Sequence, residues 1–284
     1  DVRSVEDLES HLDTGSIVVN LAAEHRDDVL PLSLYQDVNV GGAENICRVA
    51  RSKDIETIIF TSTVAVYGFA PPGTDEYGLI APFNEYGRTK YDAELVFKQW
   101  QSEEPDKRRL VIIRPTVVFG ERNRGNVYNL LKQIASKKFV MVGKGENSKS
   151  MAYVENITAF ILYTLSFPPG LHIYNYVDKP DLQVKQLIAY VFNLLGSKPT
   201  RFVIPRTIGL VIGRVFDLVA TVSGKQFPVS YIRVKKFCAD SMFATSIETS
   251  GFKPPFSLHC GLKRTVEYEF LNSDKKDEEV FYTE

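Results

Sequence analysis

The sequence has little cysteine, and its three cysteines, Cys47, Cys238 and Cys260, lack the spacing of metal ligands. An odd number of scattered cysteines does not suit a disulfide framework, so we interpret them as structural thiols in a reducing compartment and predict no metal site. Net charge is also almost absent, at −1 over 284 residues. This balance argues against a general nucleic-acid-binding protein, and we predict no nucleic acid among its partners.

Long apolar runs are missing as well. The closest to a membrane span is the stretch from Ile208 to Val222, which Arg214 and Asp217 interrupt, whereas a span needs roughly 18–20 apolar residues. No signal-peptide pattern is present. We therefore predict a cytoplasmic protein, whose length suits one or two domains with a sizeable core.

What is present is an alternation of short apolar runs and helical patterns. Apolar runs at 17–23, 56–62 and 110–114 predict buried parallel strands, and 37–52 and 85–102 have helical periodicity. Strand and helix in turn are typical of an α/β fold with a Rossmann-type doubly wound parallel sheet.

The ends of the chain have signals of their own. Ser4-Val-Glu-Asp7 has the pattern of a capping box, which predicts a short helix after it. The charged tail that begins at Ser273 is predicted to be frayed.

Beyond Gly120 the alternation is looser. The remaining periodic segments predict further helices and short strands, the helices at 126–136, 154–165 and 183–195 and the strands at 139–142 and 173–177. We interpret part of this half as a smaller lobe that closes over a substrate. The predicted Rossmann-type domain comprises 1–120 and 151–178, and the predicted substrate-binding lobe comprises 121–150 and 179–284.

Tyr86 and Lys90 form a Tyr-x-x-x-Lys pair, which a helix places on one face. A free tyrosine titrates near pH ~10, but an ammonium about 4 Å away, at an effective dielectric of ~20, favours the phenolate by up to ~4 kcal/mol. That would lower the pKa of Tyr86 by as much as about three units. The pair therefore suits a general base at neutral pH, although the same spacing alone is more often a solvated helix face.

Hydroxyl groups follow the second apolar strand, at Thr61, Ser62 and Thr63. Ligands of open α/β sheets bind at the carboxyl ends of the strands. We therefore predict that Thr63 hydrogen-bonds a substrate oxygen and the phenol of Tyr86. The alternative is a helix cap or a turn.

Other segments are compatible with ligand binding but are weaker signals. The small residues at the end of the run Asn20–Ala23 would let a flat cofactor approach the backbone, or would simply pack tightly. Asn39 is either a buried amide that orders Lys90 through water or a cap. Arg122 and Lys149, in predicted loops, suit a diphosphate or are solvated cations.

Together and in this order, these segments resemble the extended short-chain dehydrogenase/reductase family of sugar-nucleotide epimerases and dehydratases. No string is specific alone, but the joint match is specific and runs along almost the whole chain. The strings are NLAA, DVNVGGAENI, FTSTVAVYG, YGRTK, IIRPTVVFG, GKGENSKSMAYVENI, YNYVDKP and SGFKPPFSLHCGLKRTVEYEF.

The resemblance implies roles for individual residues. The catalytic set is Thr63, Tyr86 and Lys90. The cofactor-binding set, for NAD with NADP left open, is Leu21, Ala22, Ala23, Asn39, Thr61, Ser62, Tyr86, Lys90, Pro115 and Val118. The substrate-binding set is Thr63, Val64, Arg122, Asn126 and Lys149. Lys149 stands where relatives have an arginine on the substrate diphosphate, which keeps the charge but loses the bidentate fork.

The family pattern also bears on the reaction. Dehydratases have an acidic pair directly after the catalytic threonine, where this chain has Val64 and Ala65. Because these side chains have no proton to give, a 4,6-dehydratase is disfavoured and an epimerase or ketoreductase remains.

A further set of strings resembles the bacterial 4-epimerases of N-acetylglucosaminyl-diphospho-undecaprenol. These are AAEHRDDV, GERNRGNVYNLLKQIA, KSMAYV, YNYVDKPDL and RVKKFCA. The resemblance implies an NAD-dependent 4-epimerase of a diphosphate-linked N-acetylhexosamine in polysaccharide biosynthesis. The alternatives are a soluble UDP-sugar 4-epimerase, a 4-ketoreductase, and a non-catalytic binding protein with the same fold.

A lipid-linked substrate would be reached from the inner face of the cytoplasmic membrane. The segment 207–224 predicts an apolar helix that would lie shallowly in a leaflet as a peripheral contact. The alternatives are a packed helix of the small lobe and a dimer contact. Relatives often pair through the helices that flank the Tyr/Lys helix, so we predict a homodimer.

The family's G-x-x-G-x-x-G turn, which binds the cofactor pyrophosphate at a helix N-terminus, is absent from the sequence. By the family pattern it would lie upstream of Asp1. We therefore expect roughly 50–60 further residues, with the first two strands of the sheet, in the natural protein.

Overall fold

The computed structural model describes residues 1–26, 29–198, 203–223 and 230–272. Four parallel strands form the first sheet, in the order β1-β2-β3-β7. The predicted α/β fold with a parallel sheet is confirmed. Its strands are β1 (Ile17–Asn20), β2 (Thr57–Thr61), β3 (Arg109–Pro115) and β7 (Gly170–Tyr176).

Ten α-helices lie in the described ranges. Most of the predicted helices are present to within two residues at each end. They are α1 (Val5–His11), α2 (Ser33–Tyr35), α3 (Gly42–Ser52), α4 (Glu85–Glu103), α5 (Asn126–Ala135), α6 (Val154–Thr164), α7 (Val184–Leu194), α8 (Arg206–Ser223), α9 (Tyr231–Cys238) and α10 (Leu258–Val266).

Helices cover both faces of the first sheet. Successive residues of a strand point to opposite faces, so Ile58 packs against the Phe97 side of the core and Ile59 against the Phe160 side. Phe97 belongs to α4 and Phe160 to α6. Burial on both faces explains why β2 and β3 are continuous apolar runs.

Strand β1 differs from its prediction. The run 17–23 predicts a buried strand, but the strand ends at Asn20, and Ile17 and Val19 are 48% and 40% exposed. In the described part of the chain β1 pairs only with β2, and one of its faces is uncovered. Val18 and Asn20, on its other face, are buried as predicted.

The helix predicted at 37–52 is longer and irregular. It begins in α2, passes through a π-helical segment, Gln36–Gly41, and continues as α3. Such π-helical turns are often found at functional sites. Asn39 lies inside this turn and is buried.

Sequence patterns predicted β5, within the strand expected at 139–142, but missed the other strands outside the first sheet. The order of the second sheet is β4-β6-β8, and a separate pair is formed by β5 and β9. These strands are rich in polar residues or short, and β8 contains Pro180, a residue that argues against a strand. The segments are β4 (Val117–Phe119), β5 (Met141–Val142), β6 (Ser148–Tyr153), β8 (Asp178–Gln183) and β9 (Val203–Ile204).

The predicted domain boundaries stay a prediction. Strand β6 crosses the predicted boundary between 150 and 151, and it joins β4 and β8 in one sheet. A core of its own packs around this sheet, with Leu131, Tyr153, Val191 and Leu262 among its buried residues.

The predicted capping box is half formed. The Ser4 hydroxyl accepts the Asp7 N–H at 3.1 Å, but the Ser4 N–H donates to the Asp1 carbonyl. At the other end of the chain, the predicted apolar helix at 207–224 corresponds to α8, while Gly224 and the tail from Ser273 lie outside the described residues. In the described ranges, no helix combines the length and apolar character that crossing a bilayer requires.

Candidate active site

Thr63 follows the end of strand β2 by two residues. Thr63 caps a short 3-10 helix, Val64–Tyr67, because its Oγ1 accepts the Ala65 N–H at 3.1 Å. The cap uses the oxygen as an acceptor and leaves the hydroxyl proton to be donated elsewhere. Thr63 is only 8% exposed. The two interpretations of this residue, cap and ligand contact, are therefore compatible with each other.

Helix α4 begins next to this turn. The Asn84 side chain accepts the Gly87 N–H at 3.0 Å and starts the helix two residues before Tyr86. A Cβ atom on Gly87 would lie 2.6 Å from the carbonyl oxygen of Ala65. Only glycine permits so close an approach, which brings the first turn of α4 against the segment that carries Thr63.

Tyr86 and Thr63 meet where the helix and the turn approach each other. Burial raises the pKa of the Tyr86 phenol, and a hydrogen bond with Thr63 opposes the rise. We expected Lys90 to lower this pKa, but its charge is not among the causes that act on Tyr86. Desolvation is the largest cause, since it disfavours the charged form of a buried group.

Lys90 lies one turn further along α4 and is 1% exposed. Its Nζ atom is 4.2 Å from the centroid of the Phe60 ring. Burial lowers the pKa of Lys90 to about 7, while the negative charge of Glu94 opposes this shift. Among the described residues no hydrogen bond satisfies the ammonium group, so its donors are left for a ligand or water.

Beneath the site lies a buried ion pair that sequence reasoning missed. Arg114 donates to both carboxylate oxygens of Glu94, at 2.8 and 2.6 Å, and both side chains are almost completely buried. Arg114 also donates to the Tyr67 hydroxyl at 2.6 Å. The Ser62 hydroxyl donates to Glu94 at 2.6 Å. The ion pair thus connects α4 to the ends of β2 and β3.

One signal for Glu94 was available in the sequence. It follows Lys90 by four residues, as Lys90 follows Tyr86, so all three share one face of α4. The partner on β3 is 20 residues away along the chain and has no such local signal. Ser62, predicted to bind the cofactor, has its hydroxyl engaged with Glu94.

Asn39 is a buried amide, the first of its two predicted interpretations. Its amide donates to Thr89 Oγ1 at 2.9 Å and to the Glu24 carbonyl at 3.0 Å, and its Oδ1 accepts the Glu24 N–H at 2.8 Å. It lies inside the π-helical segment and is not a cap. Instead it connects α4, next to Lys90, with the loop that follows β1.

The predicted cofactor residues after β1 lie beside an open cavity. Ala22 and Ala23 line it, together with residues of α1 and α2, and its volume is about 820 Å³. Leu21 is 61% exposed, and the Thr61 hydroxyl donates to the Asn20 carbonyl at 3.1 Å. The cavity lies beside the loop after β1 and not around Tyr86.

Pro115 and Val118 are the cofactor residues predicted on the third strand. Pro115 ends β3 and Val118 lies in β4, and both are partly exposed. Val64, predicted to contact substrate, is also partly exposed and begins the 3-10 helix beside Thr63.

Lys149 is not in a loop, as predicted, but in strand β6. Its ammonium donates to the carbonyls of Lys236 and Ala239, both at 2.7 Å. Burial lowers the pKa of Lys149 to about 8. The ammonium therefore binds the carboxyl end of α9, where free carbonyl groups favour a cation.

Arg122 and Asn126 are exposed residues at and just before the start of α5. Arg122 is in a loop, as predicted, with a positive φ of 67°. Its N–H donates to Glu269 at 2.8 Å and its Nε to the Tyr268 hydroxyl at 3.3 Å. Asn126 is exposed at the first residue of α5. The assigned substrate roles of both residues stay predictions.

A profile of the NAD dependent epimerase/dehydratase family matches residues 1–176, more than half of the chain. The chain belongs to this family. Members are enzymes, and NAD is the cofactor that gives the family its name. The predicted resemblance to the extended short-chain dehydrogenase/reductases is confirmed.

Individual relatives agree with the family match. The N-acetyl-alpha-D-glucosaminyl-diphospho-ditrans,octacis-undecaprenol 4-epimerase of Escherichia coli O157:H7 is 51% identical over 286 residues, covering 100% of this chain and 86% of that protein. The UDP-glucose 4-epimerase of Vibrio cholerae is 26% identical, covering 97% and 83%.

Solved structures share the fold. The crystal structure of UDP-glucuronic acid 4-epimerase from Bacillus cereus in complex with NAD has a TM-score of 0.72 and 18% identity, covering 94% of this chain and 78% of that one. The UDP-glucose 4-epimerase of Thermus thermophilus, also in complex with NAD, has a TM-score of 0.71 and 18% identity, covering 96% and 84%.

Proposed function

We propose that this chain is an NAD-dependent 4-epimerase of an N-acetylhexosamine linked through a diphosphate to undecaprenol. It would interconvert the gluco and galacto forms through a 4-keto sugar, in bacterial polysaccharide biosynthesis. The observation that carries the proposal is the 51% identity to the E. coli enzyme over the whole chain. Val64 and Ala65, which follow Thr63 where a dehydratase would need acids, support epimerisation over dehydration.

Three side chains would carry the proton transfer. Tyr86 takes the proton of the sugar 4-hydroxyl and later returns it. Thr63, whose hydroxyl proton is left free by its cap, hydrogen-bonds the phenol oxygen and the sugar. Lys90 stabilises the phenolate with its charge. NAD, when bound, supplies the reversible acceptor for the hydride of carbon 4.

The residues next to Lys90 and at the ends of β1 and β3 fit a bound dinucleotide. Lys90 donates no hydrogen bond to the described residues, and a ribose hydroxyl would accept one from it. Ala22 and Ala23 are small and border the open cavity of about 820 Å³, so their backbone is accessible to a flat ring system. Pro115 and Val118 would complete the binding surface at the end of β3.

Protonation of Lys90 is the electrostatic requirement of this arrangement. Burial lowers its pKa to about 7, and Glu94 favours the charged form. Burial also keeps the Tyr86 phenol neutral in the protein alone, because it raises the phenol's pKa. A neutral phenol suits the step in which a proton is returned. The charged ammonium then assists the opposite step, in which the phenolate is formed.

The substrate diphosphate would be bound by the smaller lobe. Arg122 and Lys149 supply cations, and Asn126 lies exposed at the start of α5. Because Lys149 also donates to the carbonyl groups at the end of α9, a diphosphate bound to Lys149 would lie next to α9. We also propose that the chain is a homodimer at the inner face of the membrane.

The test uses two substrates in parallel. The full chain with NAD is incubated with GlcNAc-diphospho-undecaprenol in detergent and, separately, with UDP-GlcNAc, and the galacto epimer is measured in each. The proposal expects conversion of the lipid-linked sugar, and the Tyr86→Phe variant serves as the inactive control. The V. cholerae relative favours a second candidate, a UDP-sugar 4-epimerase, which conversion of UDP-GlcNAc alone would establish.

A further inference from the structure

Helix α8 has an apolar face that the described chain leaves largely exposed. Five aliphatic side chains at helical spacing are between 36% and 66% exposed, which is unusual for so many neighbours on one helix. They form a stripe along one side of the helix. The stripe consists of Ile208, Val211, Ile212, Val215 and Leu218.

The orientation of this stripe is fixed by the opposite side of the helix. A Cβ atom on Gly213 would lie 2.8 Å from the backbone of Tyr231, the first residue of α9. The Asp217 carboxylate accepts the Tyr231 N–H at 3.0 Å. Because α8 packs on α9 through this side, the aliphatic stripe is held away from the protein.

Positive charge accompanies the apolar stripe. Helices α8 and α9 contain five basic residues and one acidic residue, Asp217, whereas the whole chain has a net charge of −1. Basic side chains beside an exposed apolar stripe are typical of helices that lie in the interface of an anionic bilayer. The basic residues are Arg206, Arg214, Arg233, Lys235 and Lys236.

This surface is continuous with the candidate active site. Lys235 Nζ lies 4.9 Å from the centroid of the Phe69 ring, and Lys236 Nζ lies 4.9 Å from that of Phe83. The two rings are 4.8 Å apart and 51% and 42% exposed. Phe69 follows the turn that carries Thr63, and Phe83 precedes the helix that carries Tyr86. Helix α9 therefore lies between these two rings and α8.

We propose that the α8 stripe is a docking surface for an anionic lipid bilayer and lies shallowly among the acyl chains, with α9, Phe69 and Phe83 behind it at the headgroup level. This proposal rests on the proposed function, since a lipid-linked substrate has to be collected at a membrane. Helix α8 does not need to cross the bilayer, because its apolar stripe covers only one side of the helix. Docking places the candidate active site at the headgroup level.

The test measures partition of the full chain onto vesicles. Wild-type protein is sedimented with phosphatidylcholine vesicles that contain, or lack, one quarter phosphatidylglycerol. We expect binding to the anionic vesicles, weakened when salt is raised because charge screening increases. The double variant Val215→Glu/Leu218→Glu should bind more weakly by a factor of about ten or more. Leu162→Glu on α6, where Leu162 is 63% exposed, is the matched control and should bind as wild type.

Several outcomes would overturn the proposal. One is wild-type protein that stays in solution with anionic vesicles, and another is a double variant that binds as well as wild type. Light scattering of the same proteins tests a dimer contact instead: loss of a dimer with unchanged vesicle binding assigns the stripe to a second copy.

The assay also separates this inference from the proposed function. Absent vesicle binding with turnover of the detergent-dispersed lipid-linked sugar rejects docking alone. Vesicle binding without that turnover rejects the proposed substrate, and it leaves the docking surface in place.

Discussion

Helix α4 buries charged side chains and helix α8 exposes apolar ones, whereas most helices do the reverse. Helix α4 buries two charged residues, with Lys90 at 1% and Glu94 at 0% exposure. Helix α8, of similar length, exposes aliphatic residues such as Val211 and Leu218, at 62% and 66%. Charged residues are rarely buried without partners, and contiguous exposed apolar patches are rare on monomers.

The two helices differ in what stabilises the buried charges of α4 and what covers the exposed stripe of α8. On α4 the compensation is internal, because Arg114 pairs with Glu94 and the Phe60 ring contacts Lys90. On α8 the described chain leaves the stripe largely exposed. We infer that α4 is organised around a small ligand inside the fold and α8 around a surface outside it.

The largest expected effect is on turnover, at α4. Replacing Tyr86 by Phe removes the proposed acid/base and should lower kcat by about 10²- to 10⁴-fold, the usual contribution of such a group. Thermal unfolding should change little, since the ring is retained. A kcat within a factor of about three of wild type would reject the assigned role.

The buried ion pair should have the largest effect on stability. Glu94→Leu leaves Arg114 buried without its partner, and we expect a loss of about 3–5 kcal/mol in the free energy of unfolding. The control is Arg51→Met, which breaks a partly exposed pair with Glu103 and should cost about 0–1 kcal/mol. Urea unfolding measures both, and equal losses would contradict the contrast between buried and surface charge.

Lys90 should make the free energy of unfolding depend on pH. Its pKa is about 7 in the folded chain against an ordinary 10.5, so between these values the unfolded state binds a proton that the folded state does not. Wild-type stability gains from this group as pH rises from 7 towards 10, by up to about 1.4 kcal/mol per unit.

The Lys90→Met variant isolates that contribution. It should be more stable than wild type by the largest margin at pH 7 and below, with a margin that shrinks towards pH 10. Urea unfolding of both proteins at pH 6, 7, 8 and 9 measures the margin. A margin independent of pH would show that the lysine titrates normally.

The smallest effect belongs to α8. Leu218→Glu should change the free energy of unfolding by less than about 0.5 kcal/mol, since the residue is an exposed surface position. Leu131→Ala, at a buried core position, should cost about 2–5 kcal/mol. A loss at Leu218 comparable to that at Leu131 would mean that the stripe is packed in solution.

Features that depend on local sequence patterns could be predicted from the sequence. Helix α4, with Tyr86 and Lys90 on one face, follows from helical spacing and from motifs close together in the chain. The pairing of Glu94 with Arg114 and of Lys149 with the end of α9 could not be predicted, because the partners meet only through tertiary packing. Strands β6 and β8 were missed because their residues are mixed polar and apolar.

4-Epimerisation through a 4-keto sugar is tested most directly by following the hydrogen on carbon 4. The full chain with NAD is given GlcNAc-diphospho-undecaprenol labelled with deuterium at that carbon, and the galacto product is analysed by mass spectrometry. Nearly all deuterium should stay at carbon 4, because the hydrogen leaves and returns within one site. Loss of the label to solvent, or an unlabelled galacto product, would contradict it.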